Sequence, residues 1–367
     1  MPTRLRPFSR ENNRYLSRED KPILPLNELP ENQFIMHPRI IGQSARESMT
    51  DYANPRDFTI RVAPGDSIQK AVDRLASTSG GIIKLQQGTH IVDKQITVST
   101  DNVRVIGDGI DITILNVLDS YNADDGGVFE VTGNNVLFEG FTLNGPTNPD
   151  FIEPYGINFD FDTDSIVIRE MKFEGFTETV INGEISGFLS GYFSIIRNLF
   201  DTCGGSCIDI INSTIGFATT SGLHQEIIGN RFIDSALVTG ARTIRITANA
   251  SGHTTRGTVI AENLIENSNN HAIQVEGSLE NRIISNRIRG GNSTTDDTYT
   301  AILVGNSATV NVVHGNIITG SRYLYGILET GSTSNQNIFS NNIVTDGSDD
   351  AIQISGANSI EVDNITS

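Results

Sequence analysis

Two adjacent carboxylates, Asp349 and Asp350, lie in the segment SDDAIQI. Paired carboxyl groups can divide acid and base work, one protonating a leaving oxygen while the other activates water. The alternative is a solvated turn, because NNHAIQV, TYTAILV and YLYGILE have other residues at the equivalent place before the same kind of apolar segment. We favour the turn, and catalysis by Asp349 and Asp350 is the second interpretation.

A second set of candidates occupies one position in successive apolar segments. If Ile208, Ile244 and Ile273 point inward in alternating strands, the residues that follow them point outward on one face. That face would carry Phe129, Asn158, Asp209, Arg245, Gln274, Leu303, Leu328 and Gln353. We assign catalysis here to Asp209 and Arg245, which could hold a uronic acid or position a proton. The alternative is an ordinary surface ion pair worth less than about 1 kcal/mol.

Tyrosines form a third kind of candidate, because aromatic rings stack on sugar faces. We assign substrate binding to Tyr155, Tyr299 and Tyr323, together with Gln274 and Asn158 of the outward face. Four carboxylates form a wider acidic field that could bind Ca²⁺ or nothing: Asp160, Asp162, Glu184 and Glu276. No segment has the spacing of a calcium-binding loop, so we expect no cofactor and no metal.

The two cysteines, Cys203 and Cys207, are separated by Gly-Gly-Ser in CGGSC. They could close a very small disulfide loop, but two thiols are too few for a metal site or a disulfide framework. We therefore expect buried, incidental thiols. The histidines are scattered over different loops, and their spacing indicates no set with a serine or cysteine nucleophile.

A repeat organises the chain from residue 127 onward. An apolar alternating segment, a turn and a second segment with a fixed Asn recur, with Asn at 198, 230, 263, 286, 316, 342 and 364. Strands this short are unstable as hairpins, but they can pair in parallel with the coils above and below at about 4.8 Å. Asn suits such stacking, because its amide can bond the next Asn in a ladder. The pattern predicts an all-β, right-handed parallel β-helix of about eleven coils, roughly 50 Å long.

One helix is predicted at the start of this body, over residues 67–76. Asp66 or Ser67 would be its N-cap. Its apolar face is formed by Ile68, Ala71, Val72 and Leu75. We expect the helix to lie across the first coil as a lid.

The segments VAPGDSIQKAVDRLA, GGIIKLQQGTHIVDKQITV and NVRVIGDGIDITIL resemble the opening of the pectate-lyase-like superfamily, over about residues 58–367. The resemblance implies a single-stranded right-handed parallel β-helix, in a superfamily of lyases, hydrolases, epimerases, fructotransferases and phage tailspikes. SDDAIQI is similar to the Asp pair of its polygalacturonase branch. That branch has Asn-x-Asp one coil earlier and Gly-His-Gly and Arg-x-Lys in later coils. Here no coil that could supply these later motifs follows Asp350, and the comparable His314 lies upstream, which weighs against that chemistry.

Composition limits the partners of the chain. Of 367 residues, 44 are acidic and 26 basic, so the net charge of −18 would repel nucleic acids and anionic lipid surfaces. Five of the 26 basic residues are lysines, which indicates either genomic base composition or a high-salt habitat. No apolar run approaches the roughly 18 residues of a membrane span.

Residues 1–56 differ from the repeats that follow. They hold seven of the 11 prolines and show weak periodicity, so they cannot build a core of their own. We predict an extended docking arm at 1–56 and a β-helix domain at 57–367. The first twenty residues have no apolar region of the kind found in a secretory signal peptide, so we expect none.

These observations favour a virion-associated surface protein of the spike, turret or tailspike type. It would bind host glycans, and in one version of the hypothesis degrade them. We expect a homo-oligomer, preferably a trimer, that covers the last strands and attaches to capsid or tail proteins through residues 1–56. The first alternative is a free extracellular polysaccharide lyase, hydrolase or epimerase. The second is a purely structural decoration protein.

Overall fold

A computed structural model describes residues 58–121, 126–146, 155–160, 165–185, 192–212, 225–248, 257–291, 299–320, 323–331, 333–345 and 351–367. These stretches contain one helix and 33 strands, which form three parallel sheets of 12, 11 and 10 strands. The fold is a right-handed parallel β-helix, so the predicted class is confirmed. The arm predicted at residues 1–56 lies outside the described residues.

The sheets are named A, B and C in the order in which the chain visits them. Sheet A consists of β1 (Thr59–Val62), β2 (Gly81–Leu85), β5 (Val103–Ile106), β8 (Val136–Glu139), β11 (Ser165–Arg169), β14 (Tyr192–Ile196), β17 (Gln225–Ile228), β20 (Thr258–Ala261), β23 (Arg282–Ile284), β26 (Val312–His314), β29 (Ile338–Ser340) and β32 (Ile360–Val362). Sheet B consists of β3 (Gly88–Val92), β6 (Thr113–Val117), β9 (Thr142–Asn144), β12 (Lys172–Glu174), β15 (Leu199–Cys203), β18 (Arg231–Ser235), β21 (Leu264–Ser268), β24 (Arg287–Gly291), β27 (Ile317–Thr319), β30 (Ile343–Val344) and β33 (Ile365–Thr366). Sheet C consists of β4 (Ile96–Val98), β7 (Gly127–Val131), β10 (Tyr155–Asp160), β13 (Ile181–Ile185), β16 (Ile208–Asn212), β19 (Ile244–Ala248), β22 (Ile273–Glu276), β25 (Thr300–Gly305), β28 (Tyr325–Glu329) and β31 (Ile352–Gln353).

Each coil runs through sheet A, sheet B and sheet C in turn. From β2 to β31 the described strands make ten complete coils, and β32 and β33 belong to an eleventh. Every strand pairs in parallel with its counterpart one coil away, so equivalent residues stack in columns along the axis. Because of this register, each outward side chain lies directly beside the equivalent outward side chains of the coils above and below it.

Apolar columns fill the interior of the coils. In sheet B, Phe173, Phe200 and Phe232 stack with ring centroids 5.0 and 4.7 Å apart. In sheet C, the isoleucines predicted to point inward, Ile208, Ile244 and Ile273, are fully buried, and so are the equivalent Ile302 and Ile327. Burial of these columns stabilises the fold by removing apolar side chains from water in every coil.

The helix α1 (Ile68–Ala76) lies at the start of the β-helix, as predicted. Ser67 is its N-cap, and the side chain of Ser67 accepts a hydrogen bond from the Lys70 backbone N–H. The predicted apolar face of the helix is buried. Gln69 reaches the first strand of sheet C, where its amide accepts from Thr97 N at 2.7 Å and donates to Thr97 O at 3.3 Å. Within the described stretches, no helix has the length and apolarity that crossing a membrane requires.

The predicted asparagine ladder forms the bend between sheets A and B. Hydrogen bonds of 2.9–3.1 Å join the side-chain amides of successive members, which are Asn198, Asn230, Asn263, Asn286, Asn316, Asn342 and Asn364. A second ladder, which the sequence interpretation missed, joins Asn281, Asn311 and Asn337. In nine successive coils the residue before the first ladder's position, from Gly140 to Asp363, has φ between 52° and 72°. The left-handed residue turns the chain, and the buried amide satisfies the backbone groups that the turn leaves free.

Candidate functional site

The outward face of sheet C carries a continuous column of polar side chains. In register from one coil to the next, its members are Glu130, Asn158, Asn182, Asp209, Arg245 and Gln274. We call these six residues the polar column. At about 4.8 Å per coil they extend over roughly 24 Å. Above them the same position is apolar, with Leu303 and Leu328, before Gln353.

The position assigned to Phe129 in the sequence interpretation was wrong. Phe129 pairs with Ile157 and is fully buried in the core, whereas Glu130 pairs with Asn158 and lies on the outward face. Asn182, which the interpretation omitted, fills the coil between Asn158 and Asp209. The corrected column is therefore polar without interruption over six coils.

Hydrogen bonds link the lower half of the polar column. Asn158 Nδ2 donates to both carboxylate oxygens of Glu130, at 2.9 and 3.0 Å. Asn182 Nδ2 donates to Asn158 Oδ1 at 2.7 Å. These three side chains are half-buried, so their amide and carboxylate groups are held in fixed positions while solvent still reaches them. Such an array can hydrogen-bond the hydroxyl groups of a ligand lying along the sheet.

Asp209 and Arg245 form a bidentate ion pair across adjacent coils. Arg245 Nε donates to Asp209 Oδ1 at 2.7 Å, and Arg245 Nη2 donates to Asp209 Oδ2. Burial raises the pKa of the Asp209 carboxyl above its ordinary value, although hydrogen bonding and the charge of Arg245 oppose this shift. The pair is more buried than the surface ion pair that we considered as the alternative, since Asp209 is only 4% exposed.

Arg242 adds a second guanidinium beside this pair. It lies in the turn before β19, and its Nε donates to the Gln274 side-chain oxygen. Its Nη1 donates to the backbone carbonyl oxygens of Gly240 and Ala241. These acceptors are neutral, so they hold the guanidinium in place without cancelling its charge. Burial lowers the pKa of Arg242, and the charge of Arg245 acts in the same direction, yet arginine stays protonated at neutral pH.

His271 and Tyr299 complete the surroundings of Arg242. The two rings meet edge to face with centroids 5.3 Å apart, and His271 Nδ1 lies 2.9 Å from Thr300 N. Burial, reinforced by the charge of Arg242, lowers the pKa of His271 to about 4. The imidazole is therefore neutral at physiological pH. We call Asp209, Arg242, Arg245, His271, Gln274, Glu276 and Tyr299 the arginine site.

The predicted tyrosines separate into two groups. Tyr155 and Tyr299 are half-buried at the starts of β10 and β25, where Tyr155 interacts electrostatically with Arg245, and Tyr299 with Arg242. The assignment of Tyr323 to sugar binding was wrong, because that ring is 1% exposed within the core and its hydroxyl donates to Ser268 O at 3.3 Å. A ring buried inside the coils cannot stack on a sugar.

The acid pair Asp349 and Asp350 lies outside the described residues. The acidic field that we considered for Ca²⁺ is only partly described, because Asp162 and the side chain of Asp160 also fall outside. Glu184 and Glu276 lie on the outward face of sheet C, two residues beyond Asn182 and Gln274 of the polar column. Among the described residues, no cluster of three His, Cys, Asp or Glu side chains could hold a metal ion.

The two cysteines are buried free thiols, which agrees with the expectation from sequence. Cys203 ends β15 and Cys207 precedes β16, so the CGGSC segment is the bend between sheets B and C. Burial raises the pKa of the Cys207 thiol, and its contact with Cys203 adds to the shift. They therefore pack as small apolar residues in the core at this bend.

No protein-family model and no curated protein matches the chain. Solved structures do resemble it. The catalytic domain of a GH87 α-1,3-glucanase in complex with nigerose gives a TM-score of 0.55 at 12% identity, with 86% of this chain and 66% of that chain covered. A PL6 family polysaccharide lyase from Pseudopedobacter saltans gives 0.50 at 13%, with 84% and 92% covered.

A third similar structure comes from a virus. The enzymatically active domain of bacteriophage CBA120 tailspike protein 2 gives a TM-score of 0.52 at 13% identity, with 77% of this chain and 48% of that domain covered. This chain therefore spans about half the length of that domain. At these identities the likeness is one of fold, and that fold is the right-handed parallel β-helix that the sequence resemblance implied.

Proposed function

We propose that this pectate-lyase-like β-helix binds an extended glycan bearing carboxylate groups, as a virion-associated surface protein of the spike, turret or tailspike type. The observation that carries the proposal is the arginine site, where Arg242 and Arg245 lie together on the outward face of a long polar column. Guanidinium groups pair with carboxylates through charge-assisted hydrogen bonds. The amides of the column are suited to the hydroxyl groups of neighbouring sugar units.

The overall charge of the chain opposes an acidic ligand, so binding needs a local concentration of cationic groups. With a net charge of −18, most of the surface repels a polyanion. Arg242 is held by neutral acceptors, and we therefore expect it to supply the local attraction. A ligand that lies along sheet C would meet the arginine site at one end of the polar column and Glu130 at the other.

Binding to defined oligosaccharides tests this proposal. Tetramers of galacturonate, mannuronate and glucuronate are compared with neutral malto-oligosaccharides by calorimetry. Arg242→Ala should weaken binding of the acidic tetramer by about 10- to 100-fold, the worth of one charge-assisted contact. Arg231→Ala, which removes an arginine paired with Glu266 on sheet B, is the matched control and should leave affinity unchanged. Equal binding of neutral and acidic tetramers would contradict the proposal.

Cleavage of the glycan is a second candidate function. Asp209 favours it, because a buried carboxyl with a raised pKa on the ligand-facing column can donate or accept a proton. The similar glucanase, lyase and tailspike domain support it only by their fold. Absorbance at 235 nm follows elimination and a reducing-end assay follows hydrolysis. Loss of turnover in Asp209→Ala, with glycan binding retained, would support an enzyme, whereas absence of turnover in the wild type would favour a binding or decoration protein.

The proposed role in a virion requires other proteins, namely capsid or tail proteins and further copies of this chain. We propose that residues 1–56 attach the β-helix to capsid or tail proteins and that the assembly is a homotrimer. The tailspike domain is a fold-level precedent for a phage protein of this architecture. Light scattering after size exclusion measures the oligomeric state, and a monomer at micromolar concentration would count against the spike. Neighbouring genes for capsid or tail proteins would support it.

A further inference from the structure

The ion pair at the centre of the arginine site is asymmetric in its access to solvent. The side chain of Asp209 is 6% exposed, whereas that of Arg245 is 33% exposed. An anion arriving from solvent therefore meets the guanidinium of Arg245 before it meets the carboxylate of Asp209. Because the two groups are already paired, a new anion at Arg245 must compete with Asp209.

Asp209 depends on Arg245 to remain charged. Both of its carboxylate oxygens accept hydrogen bonds from that one guanidinium. A buried carboxylate that loses its counterion either moves into water or becomes neutral, because an unpaired buried charge is costly. Asp209 stands in the middle of strand β16, where paired strands on both sides fix its backbone. Protonation is thus the response that the surrounding sheet allows.

We propose that a ligand carboxylate replaces Asp209 at the Arg245 guanidinium, and that Asp209 then takes up one proton from solvent. The inference rests on the proposed function and adds that binding of the acidic glycan consumes a proton. One O–H bond forms on Asp209, and the ligand carboxylate becomes the anion paired with Arg245. The charges of the ligand carboxylate and the proton cancel, so the net charge of the site does not change.

Other groups lie around the ion pair and the neighbouring Arg242, on the strands and turns packed against them. They are Tyr155 of β10, Asn182 of β13, Arg242 before β19, His271 before β22, Gln274 and Glu276 of β22, and Tyr299 before β25. His271, with its pKa near 4, stays neutral between pH 5 and pH 8. The amides do not titrate, and arginine remains charged. Glu276 is the other carboxylate close to the arginines.

Calorimetry with the three uronate tetramers, from pH 5 to pH 8 in pairs of buffers that differ in ionisation enthalpy and buffer at each pH, measures both affinity and proton uptake. For the wild type we expect uptake that rises with pH towards one proton per ligand. The dissociation constant should increase by up to about tenfold per pH unit over the same range. Asp209→Asn should bind with no proton uptake and with a flat pH profile. Asp93→Asn, which changes an exposed aspartate between β3 and β4, should keep the wild-type uptake.

The outcomes separate this inference from the proposed function. Binding of a uronate tetramer by the wild type, with no proton uptake and constant affinity from pH 5 to pH 8, would overturn the inference and leave the proposed function intact. Failure of the wild type to bind any uronate tetramer at any pH would overturn both. The wild-type measurement can overturn the inference even where Asp209→Asn fails to fold. Proton uptake that persists in folded Asp209→Asn would assign the proton to another group and overturn the inference.

Discussion

At the residue scale, outward positions of the sheets differ widely in their contact with solvent. Glu226 of β17 pairs in register with Ser194 and Val259 on the outward face of sheet A, yet it is 3% exposed. Burial raises the pKa of Glu226 to about 7, and its interaction with Ser194 opposes the shift only in part. The folded protein therefore keeps this carboxyl neutral below about pH 6, and the carboxyl titrates near physiological pH.

This shift makes the free energy of unfolding depend on pH. The folded pKa of Glu226 lies above its unfolded value of 4.5, so the folded state binds the proton more tightly. The contribution is fully present below about pH 4.5 and is lost as the pH rises through about 7. We expect Glu226→Gln to raise the free energy of unfolding by about 2–3 kcal/mol at pH 8 and to have little effect at pH 4.5. Urea denaturation at the two pH values measures the difference.

Glu178→Gln provides the control, because Glu178 is exposed in a turn and its substitution should change stability by the same small amount at both pH values. A loss of stability at pH 8 in Glu226→Gln would show that the carboxylate is stabilised by groups other than Ser194.

Residue positions were predictable from sequence where the strand period fixes them. Asp209, Arg245 and Gln274 follow inward isoleucines, and their shared face was found from alternation alone. Arg242 and Tyr323 lie in or beside bends, where no period fixes the direction of a side chain. Arg242 points to the outward face, whereas Tyr323 enters the core, with its ring against Gly291. A larger residue at position 291 would occupy the space of the Tyr323 ring. Gly291 was therefore a sequence feature consistent with a buried Tyr323, but the alternation of strand residues does not take it into account.

At the element scale, the asparagine ladder joins each bend to the next. Asn263 shows the pattern: its Nδ2 donates to Ile227 O at 2.9 Å and to Asn286 Oδ1 at 2.9 Å. Its Oδ1 accepts from Asn230 N at 2.9 Å and from Asn230 Nδ2 at 3.1 Å. All four contacts are buried, so removing the amide leaves donors and acceptors of two coils without partners.

We therefore expect Asn263→Ala to lower the free energy of unfolding by at least about 3 kcal/mol, since several buried polar groups lose their partners together. Asn263→Asp should also destabilise at neutral pH, because a carboxylate cannot donate to Ile227 O or to Asn286 Oδ1. Thermal and urea denaturation followed by circular dichroism measure both changes.

Asn269→Ala is the matched control, because Asn269 is partly exposed and, among the described residues, its side chain makes one hydrogen bond, of 3.4 Å, to Leu237 O. It should cost less than about 0.5 kcal/mol. Equal losses for the variants at 263 and 269 would contradict the structural importance of the ladder.

The elements were the most predictable part of the fold. The fixed Asn marks one bend per coil, so the ladder and the strands on either side could be found without a structure. The first coils lack this mark, since Phe141 and Met171 occupy the ladder position there. This explains the error at Phe129: no Asn nearby fixed the register, and the sequence interpretation placed this strand one residue out of register. In a strand, one residue exchanges the inward face for the outward face.

At the scale of the whole molecule, the net charge of −18 is the main feature that no single contact explains. Several ion pairs bridge adjacent coils on sheets A and B, such as Arg169 with Glu139 and Arg231 with Glu266. They neutralise few of the 44 acidic residues. Repulsion among the remaining carboxylates opposes the compact state and is screened by salt.

We expect the melting temperature at pH 8 to rise by several degrees when NaCl increases from 0.1 to 1 M, because salt screens this repulsion. The same increase at pH 4.7, close to the calculated isoelectric point, should have a much smaller effect. Differential scanning calorimetry at both pH values measures the contrast. A salt effect of equal size at the two pH values would assign it to general salting-out of apolar surface.

The contact of Gln69 with Thr97 has a consequence for how molecules of this kind could polymerise. In a parallel sheet, the backbone N–H and C=O of one residue point to the same side, so Thr97 could template the backbone of an incoming chain. The amide of Gln69 already satisfies both groups. For a filament to grow head to tail through sheet C, α1 must first be displaced from the edge strand β4. The side chain of Gln69 thus blocks the addition of another strand at this edge of sheet C.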